Sequence, residues 1–116
     1  METTEIEKST SHILIEIIEY VPNSVVKKTI LRKITGNIRV IAIDTGEILA
    51  EKISSFDTFL QIIEGRAEVM IDEKSNMLQT GQAIIVPAHT SSIVKANERS
   101  KMISTIIKSG YEGSLL

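Results

Sequence analysis

Five side chains in the middle of this chain have the types to do chemistry: Lys52, Ser54, Thr58, His89 and Ser92. They lie within two stretches punctuated by glycine, Gly46 to Gly65 and Gly81 to Ala96. A lysine supplies a compact positive charge that can anchor a carboxylate, a phosphate or an enolate. Hydroxyls donate and accept, so they can orient what a lysine holds. No cysteine is present, which removes disulfides, thiolate nucleophiles and Cys-ligated zinc or iron–sulfur sites. The only histidines are His12 and His89, so a three-imidazole metal site within one subunit is unavailable.

The elements that must position these residues are short. From Val25 onward, apolar runs of strand length are separated by turn residues. Val25 to Lys33, Ile38 to Asp44 and Glu47 to Ile53 are divided by Thr35-Gly36-Asn37 and Thr45-Gly46. Thr58 to Ile63, Ala67 to Asp72, Asn76 to Gln79 and Ala83 to Val86 follow, with Glu64-Gly65, Glu73-Lys74-Ser75 and Thr80-Gly81 between them. Ser92 to Ala96 and Lys101 to Lys108 complete the series. Alternation is plainest in Arg66 to Asp72, where Ala67, Val69 and Ile71 share one face. Ile13 to Tyr20 is apolar enough for a strand or a short amphipathic helix, and its periodicity decides neither. This pattern predicts an all-β sandwich or barrel over residues 13–108, with flexible segments at 1–12 and 109–116.

The two glycine-punctuated stretches resemble the paired motifs of the cupins, G-x5-H-x-H-x3-4-E-x6-G and G-x5-P-x-G-x2-H-x3-N. Gly46, Gly65, Gly81 and Pro87 fall in register with that pattern. The resemblance implies a cupin-type double-stranded β-helix, a jelly-roll barrel, spanning roughly Gly36 to Lys108. It also places Lys52 and Ser54 at the first two histidines, Thr58 at the glutamate and Ser92 at the last histidine. An ammonium and three hydroxyls cannot hold the divalent ion that histidines and a carboxylate hold. The implied site is therefore free of metal and cofactor. A slip of one residue would offer Glu51 in place of Lys52, joined by Asp57 and His89, but it would break the glycine register and invert the strand. His89 falls at the motif's glycine, on a loop at the barrel mouth.

In that register Lys52, Ser54, Thr58 and Ser92 converge inside the barrel. A buried lysine without a partner must lose its proton or find an anion. The site then binds a small polar or anionic metabolite through Lys52, Ser54, Thr58, Ser92 and His89. The plainer alternative is a lysine that snorkels to the mouth and pairs with Asp57 or Glu51. An enzyme is the second reading, either an isomerase or lyase using Lys52 or a metal-dependent oxygenase with a non-standard site. No residue is assigned a catalytic role.

Bulk properties exclude other classes. The formal charge of -2 with interspersed signs leaves no footprint for nucleic acid, and two Phe, two Tyr and no Trp make no base-stacking platform. The acidic N-terminus lacks the basic and apolar regions of a signal peptide, and His12 to Ile18 is too short to span a membrane. The expectation is a cytoplasmic homodimer with no nucleic-acid or membrane partner. Ile62-Ile63 and Ile106-Ile107 are adjacent apolar pairs, so one member of each faces outward and needs cover from a partner subunit or a second layer.

Overall fold

The computed structural model describes residues 5–108; residues 1–4 and the predicted tail at 109–116 lie outside the described residues. Among the described residues nine strands follow one short 3-10 turn, Leu14–Glu16. They are β1 (Val25–Lys33), β2 (Gly36–Ile43), β3 (Ile48–Glu51), β4 (Thr58–Glu64), β5 (Arg66–Ile71), β6 (Lys74–Gln79), β7 (Ala83–Val86), β8 (Ser92–Ala96) and β9 (Ser100–Ile107). They form two antiparallel sheets, one ordered β1-β2-β9-β4-β7 and the other β3-β8-β5-β6. This is the all-β architecture that the spacing of apolar runs predicts. Among the described residues no helix is long and apolar enough to cross a membrane.

Alternation decides which face each strand buries. On β5, Ala67 and Val69 are fully buried, and Ile71 packs beside them. On β2 both faces are apolar, because the strand lies between two separate cores. Ile41 and Ile43 point between the sheets with Ile62, Val94 and Met102. Val40 and Ala42 point outward and pack with Ile103 and Ile18. A fully buried isoleucine contributes roughly 1.5–3 kcal/mol, so both clusters matter to stability.

The outer cluster answers the question raised by the paired isoleucines. Ile62 faces the inner core while Ile63 packs on the outer cluster, under Ile17, Ile18 and Tyr20 of the chain's own N-terminal segment. Ile13 to Tyr20 is thus a cover for the larger sheet, and only Leu14–Glu16 is regular. Further upstream, Ile6 N–H donates to Ile30 O at 3.3 Å. Ile107, by contrast, is 68% exposed.

Two turns differ from the expected ones. Gly65 joins no hairpin, because β4 pairs with β7 and β9 while β5 pairs with β6 and β8. The glycine turns a corner between the two sheets at φ +95, where an added Cβ would meet Arg99 O at 2.2 Å. The β5–β6 hairpin turns at Asp72 and Glu73, φ 49 and 71, and pairing begins at Ile71 with Lys74. Two residues of positive φ match the right-handed twist of the flanking strands, so β6 starts before Asn76.

Candidate functional site

One end of the space between the sheets stays open as a cavity of about 590 Å³. Its floor is the apolar core, with Ile41, Leu49, Leu60, Val86 and Val94 turned toward it. Its mouth is polar because the inward positions change character along each strand. On β2 the inward series runs Ile43, Ile41, Arg39, Asn37; on β3 it runs Leu49, Glu51; on β8 it runs Val94, Ser92. The registers Leu49 with Val94 and Glu51 with Ser92 keep these changes level across the smaller sheet.

The sequence-predicted residues are placed as follows. Ser54, Thr58 and Ser92 line the cavity, each half-buried. Lys52 also lines it, but it follows the last residue of β3 and is exposed. His89 is exposed and is not among the lining residues. Its φ of 63 occupies the left-handed region where the motif has glycine, and its N–H donates to Ser54 O at 2.6 Å. Beside it, Ala88 N–H donates to Asp57 Oδ1 at 2.8 Å. His89 therefore ties the loop after β7 to the loop after β3 through its backbone.

The strongest charge arrangement at the mouth lies elsewhere. Arg39 Nη2 donates to Glu51 Oε1 at 2.9 Å, and Lys27 Nζ donates to Glu51 Oε2 at 3.3 Å. Burial pushes the Glu51 carboxyl up, but the Arg39 hydrogen bond and charge, with Lys27 adding to them, outweigh it and hold the group below the usual carboxylate range. Among the described residues that line the cavity, Lys27, Arg39, Lys52 and Lys108 give four cationic side chains against the single carboxylate of Glu51. The mouth is electropositive on a chain whose net charge is -2.

Arg39, Asn37, Ser104 and Lys108 were not legible as site residues. Lys27, with Lys28, reads in sequence as a solvated face. Lys28 does reach outward, to Ile17 O at 3.3 Å, while Lys27 turns to the cavity. The available signal was the polar pair Asn37 and Arg39 on the same alternating face as Ile41 and Ile43. With both faces of β2 apolar, alternation alone could not say which face was inside.

A divalent metal does not fit these residues. Lys52, Ser54, Thr58 and Ser92, the residues that the motif resemblance assigns to the four ligand positions, line the cavity, and Glu51 is already engaged by two cations. His12 Nε2 lies 2.9 Å from Glu7 O in the N-terminal segment and is not among the lining residues. Among the described residues no group of three His, Asp or Glu side chains could hold an ion.

No family model matches this sequence, and no curated protein does. Solved structures do. A conserved protein of unknown function from Streptococcus pyogenes superposes with a TM-score of 0.84 at 24% identity, covering 90% of this chain and 92% of that one. A cupin superfamily protein from Desulfitobacterium hafniense gives 0.83 at 21%, covering 92% and 98%. An RmlC-like cupin from Desulfovibrio desulfuricans gives 0.76 at 20%, covering 85% and 96%. These likenesses show the fold: the chain has the single-barrel jelly-roll fold of the small cupins it superposes on. Identities this low carry no activity across.

Proposed function

We propose that this protein is a metal-free cupin module that binds a small polar or anionic metabolite within its barrel. The observation that carries the reading is the cavity itself, whose lining sets four cations against one carboxylate. Leu60, Ile62 and Val94 are buried and pack the base of the barrel, while the end above them stays open among Arg39, Glu51, Thr58 and Ser92. The volume lies within the range of small-molecule pockets, roughly 300–1,000 Å³. Ser54, Thr58 and Ser92 add hydroxyls that can orient a bound group, and Lys52 guards the entrance.

Binding is favoured over catalysis because Glu51, the lining carboxylate, is a poor general base. Two cations hold its charged form, which lowers its appetite for a proton. The homodimer and the cytoplasmic location expected from the sequence belong to the same proposal, the first to be checked by sedimentation velocity.

Thermal denaturation in the presence of organic acids, phosphates and neutral sugars tests the reading. A ligand at a hundred times its dissociation constant stabilises by about 2.7 kcal/mol, which raises Tm by several degrees. Organic acids or phosphates should do this and neutral sugars should not. A flat response to every anion would sink it.

A further inference from the structure

Glu51 sits at the last residue of β3, where the strand gives way to the segment that carries Lys52, Ser54 and Phe56. Its two oxygens each take a different cation, Arg39 at 2.9 Å and Lys27 at 3.3 Å. These two cations stand on the adjacent strands β2 and β1, spaced to hold one carboxylate between them. The carboxylate they hold belongs to the protein. We propose that Glu51 is a stand-in for the carboxylate of the natural ligand, which displaces it from Arg39 and Lys27, and that this ligand is a monocarboxylate with an apolar tail.

The proposal rests on the anion-binding reading above and narrows it. Displacement suits the charge count at the mouth. With Glu51 in place, Lys52 and Lys108 still leave the opening positive, so an incoming anion is attracted before it competes. Arg39 and Lys27 then exchange one carboxylate for another and keep their charge-assisted hydrogen bonds. Glu51 is one-third exposed and can swing into water as it leaves.

The tail follows from the floor. Below the charged ring the lining is Ile41, Leu49, Leu60, Val86 and Val94, interrupted by the hydroxyl of Ser104. A sugar ring lowered onto that surface would bury several hydroxyls that Ser104, with Thr58 and Ser92 above it, could pair only in part, and each unpaired hydroxyl carries a desolvation penalty. A short acyl or aryl tail has no such penalty and gains roughly 0.8 kcal/mol per buried methylene.

Isothermal titration of the full chain with acetate, hexanoate, inorganic phosphate and glucose tests the idea, using the wild type, Glu51→Gln and Arg39→Gln. Hexanoate should bind the wild type about tenfold or more tighter than acetate. Glu51→Gln should tighten hexanoate about tenfold, since the competing charge is gone while the shape remains. Arg39→Gln should abolish the binding. If hexanoate binds but Glu51→Gln weakens it or leaves it unchanged, Glu51 only positions Arg39 and the stand-in is refuted, with the anion-binding reading intact. If phosphate binds tighter than hexanoate, or acetate equals it, the apolar tail is refuted alone. If no anion binds either protein, the proposal and the reading beneath it fall together. A second measurement does not depend on a variant folding. In carboxyl-labelled wild type, hexanoate should move the Glu51 side-chain carbon resonance toward that of a solvated glutamate, and saturation without that movement overturns displacement.

Discussion

The hydroxyl of Tyr20 donates to Oε1 of Glu64 at 2.7 Å, joining the N-terminal segment to the end of β4. Two cations lie over the ring, Arg99 at 5.0 Å and Lys101 at 4.9 Å from its centre. Lys101, itself buried, also donates to Ile15 O. These contacts clasp Ile13 to Tyr20 over the outer cluster. Tyr20→Phe should keep the packing and lose the hydrogen bond, at a cost of about 1 kcal/mol. A Tm lower by about 4 °C in calorimetry is the expected reading.

The same pair gives an alkaline signature. Burial, then the hydrogen bond to Glu64 and its negative charge, raise the Tyr20 pKa well above the ordinary phenol value. The folded state keeps a proton that the unfolded chain releases near pH 10. The associated stability is complete below that value and drains away as pH rises beyond it. Absorbance titration in a Tyr111→Phe background should show Tyr20 ionising later than a free tyrosine. Titration at the ordinary value would contradict the clasp.

Gly65 closes the first of the two motifs and Gly81 opens the second, and they should respond very differently to alanine. Both have positive φ, +95 and +91. A Cβ on Gly81 meets nothing within 4 Å, so Gly81→Ala carries only the left-handed backbone penalty of about 1–2 kcal/mol. A Cβ on Gly65 would meet Arg99 O at 2.2 Å and Ser100 Cα at 2.9 Å, and neither is a flexible side-chain end. Gly65→Ala should cost about 3 kcal/mol or more, since a sheet corner must shift. Urea denaturation of the two variants separates these values.

That contrast shows what was legible beforehand and why. The glycine register and the alternation in β5 follow from backbone sterics and a period of two, which are properties of nearby residues. Val25–Lys33, Ala83–Val86 and Ser92–Ala96 could therefore be drawn residue by residue from the sequence. The role of Gly65 could not, because it depends on Arg99 and Ser100 arriving from a distant part of the chain. The site divides the same way. Thr58 and Ser92 come from the resemblance to the paired motifs, and β4 and β8 bring them to the cavity. The Arg39–Glu51–Lys27 group depends on β1, β2 and β3 meeting at one end of the barrel. Glu51 and Lys52 show the limit most sharply. Both line the cavity, as does Ala50 before them, so strict alternation does not hold along this short edge strand.

Removing Arg39 should raise the Glu51 pKa. Burial pushes the carboxyl up, and the Arg39 hydrogen bond and charge are the chief forces holding it down. Lys27 also faces it, and Lys52 and Lys108 stand at the same mouth. In Arg39→Gln the burial effect is opposed mainly by Lys27, so the Glu51 pKa should rise. The sign for stability follows: in the wild type the lowered pKa contributes stability at neutral pH that is lost as pH falls through the folded value. Carboxyl-detected NMR titration measures the first effect, and acid denaturation should show a shallower Glu51-dependent loss in the variant. A pKa unchanged by the substitution would mean that the Arg39 contact is not kept in solution.

Metal content is the prediction with most to say about the class of function. Cupins that use a metal surround it with imidazoles and a carboxylate, and divalent ions prefer such neutral or anionic donors. Here the corresponding positions hold Lys52, Ser54, Thr58 and Ser92, and the cations Arg39 and Lys27 stand within the same cavity. Each positive charge raises the cost of bringing in another. Protein purified without chelator should therefore carry less than about a tenth of an equivalent of iron, zinc, manganese or nickel by plasma mass spectrometry. Adding those ions should leave Tm unchanged, because an ion that does not bind the folded state cannot stabilise it. Near-stoichiometric metal surviving gel filtration would point to ligands shared between subunits, with His12 or His89 as the only imidazoles to supply them. It would put an enzyme ahead of a binding module. Replacing each histidine by alanine would then show which one holds the ion.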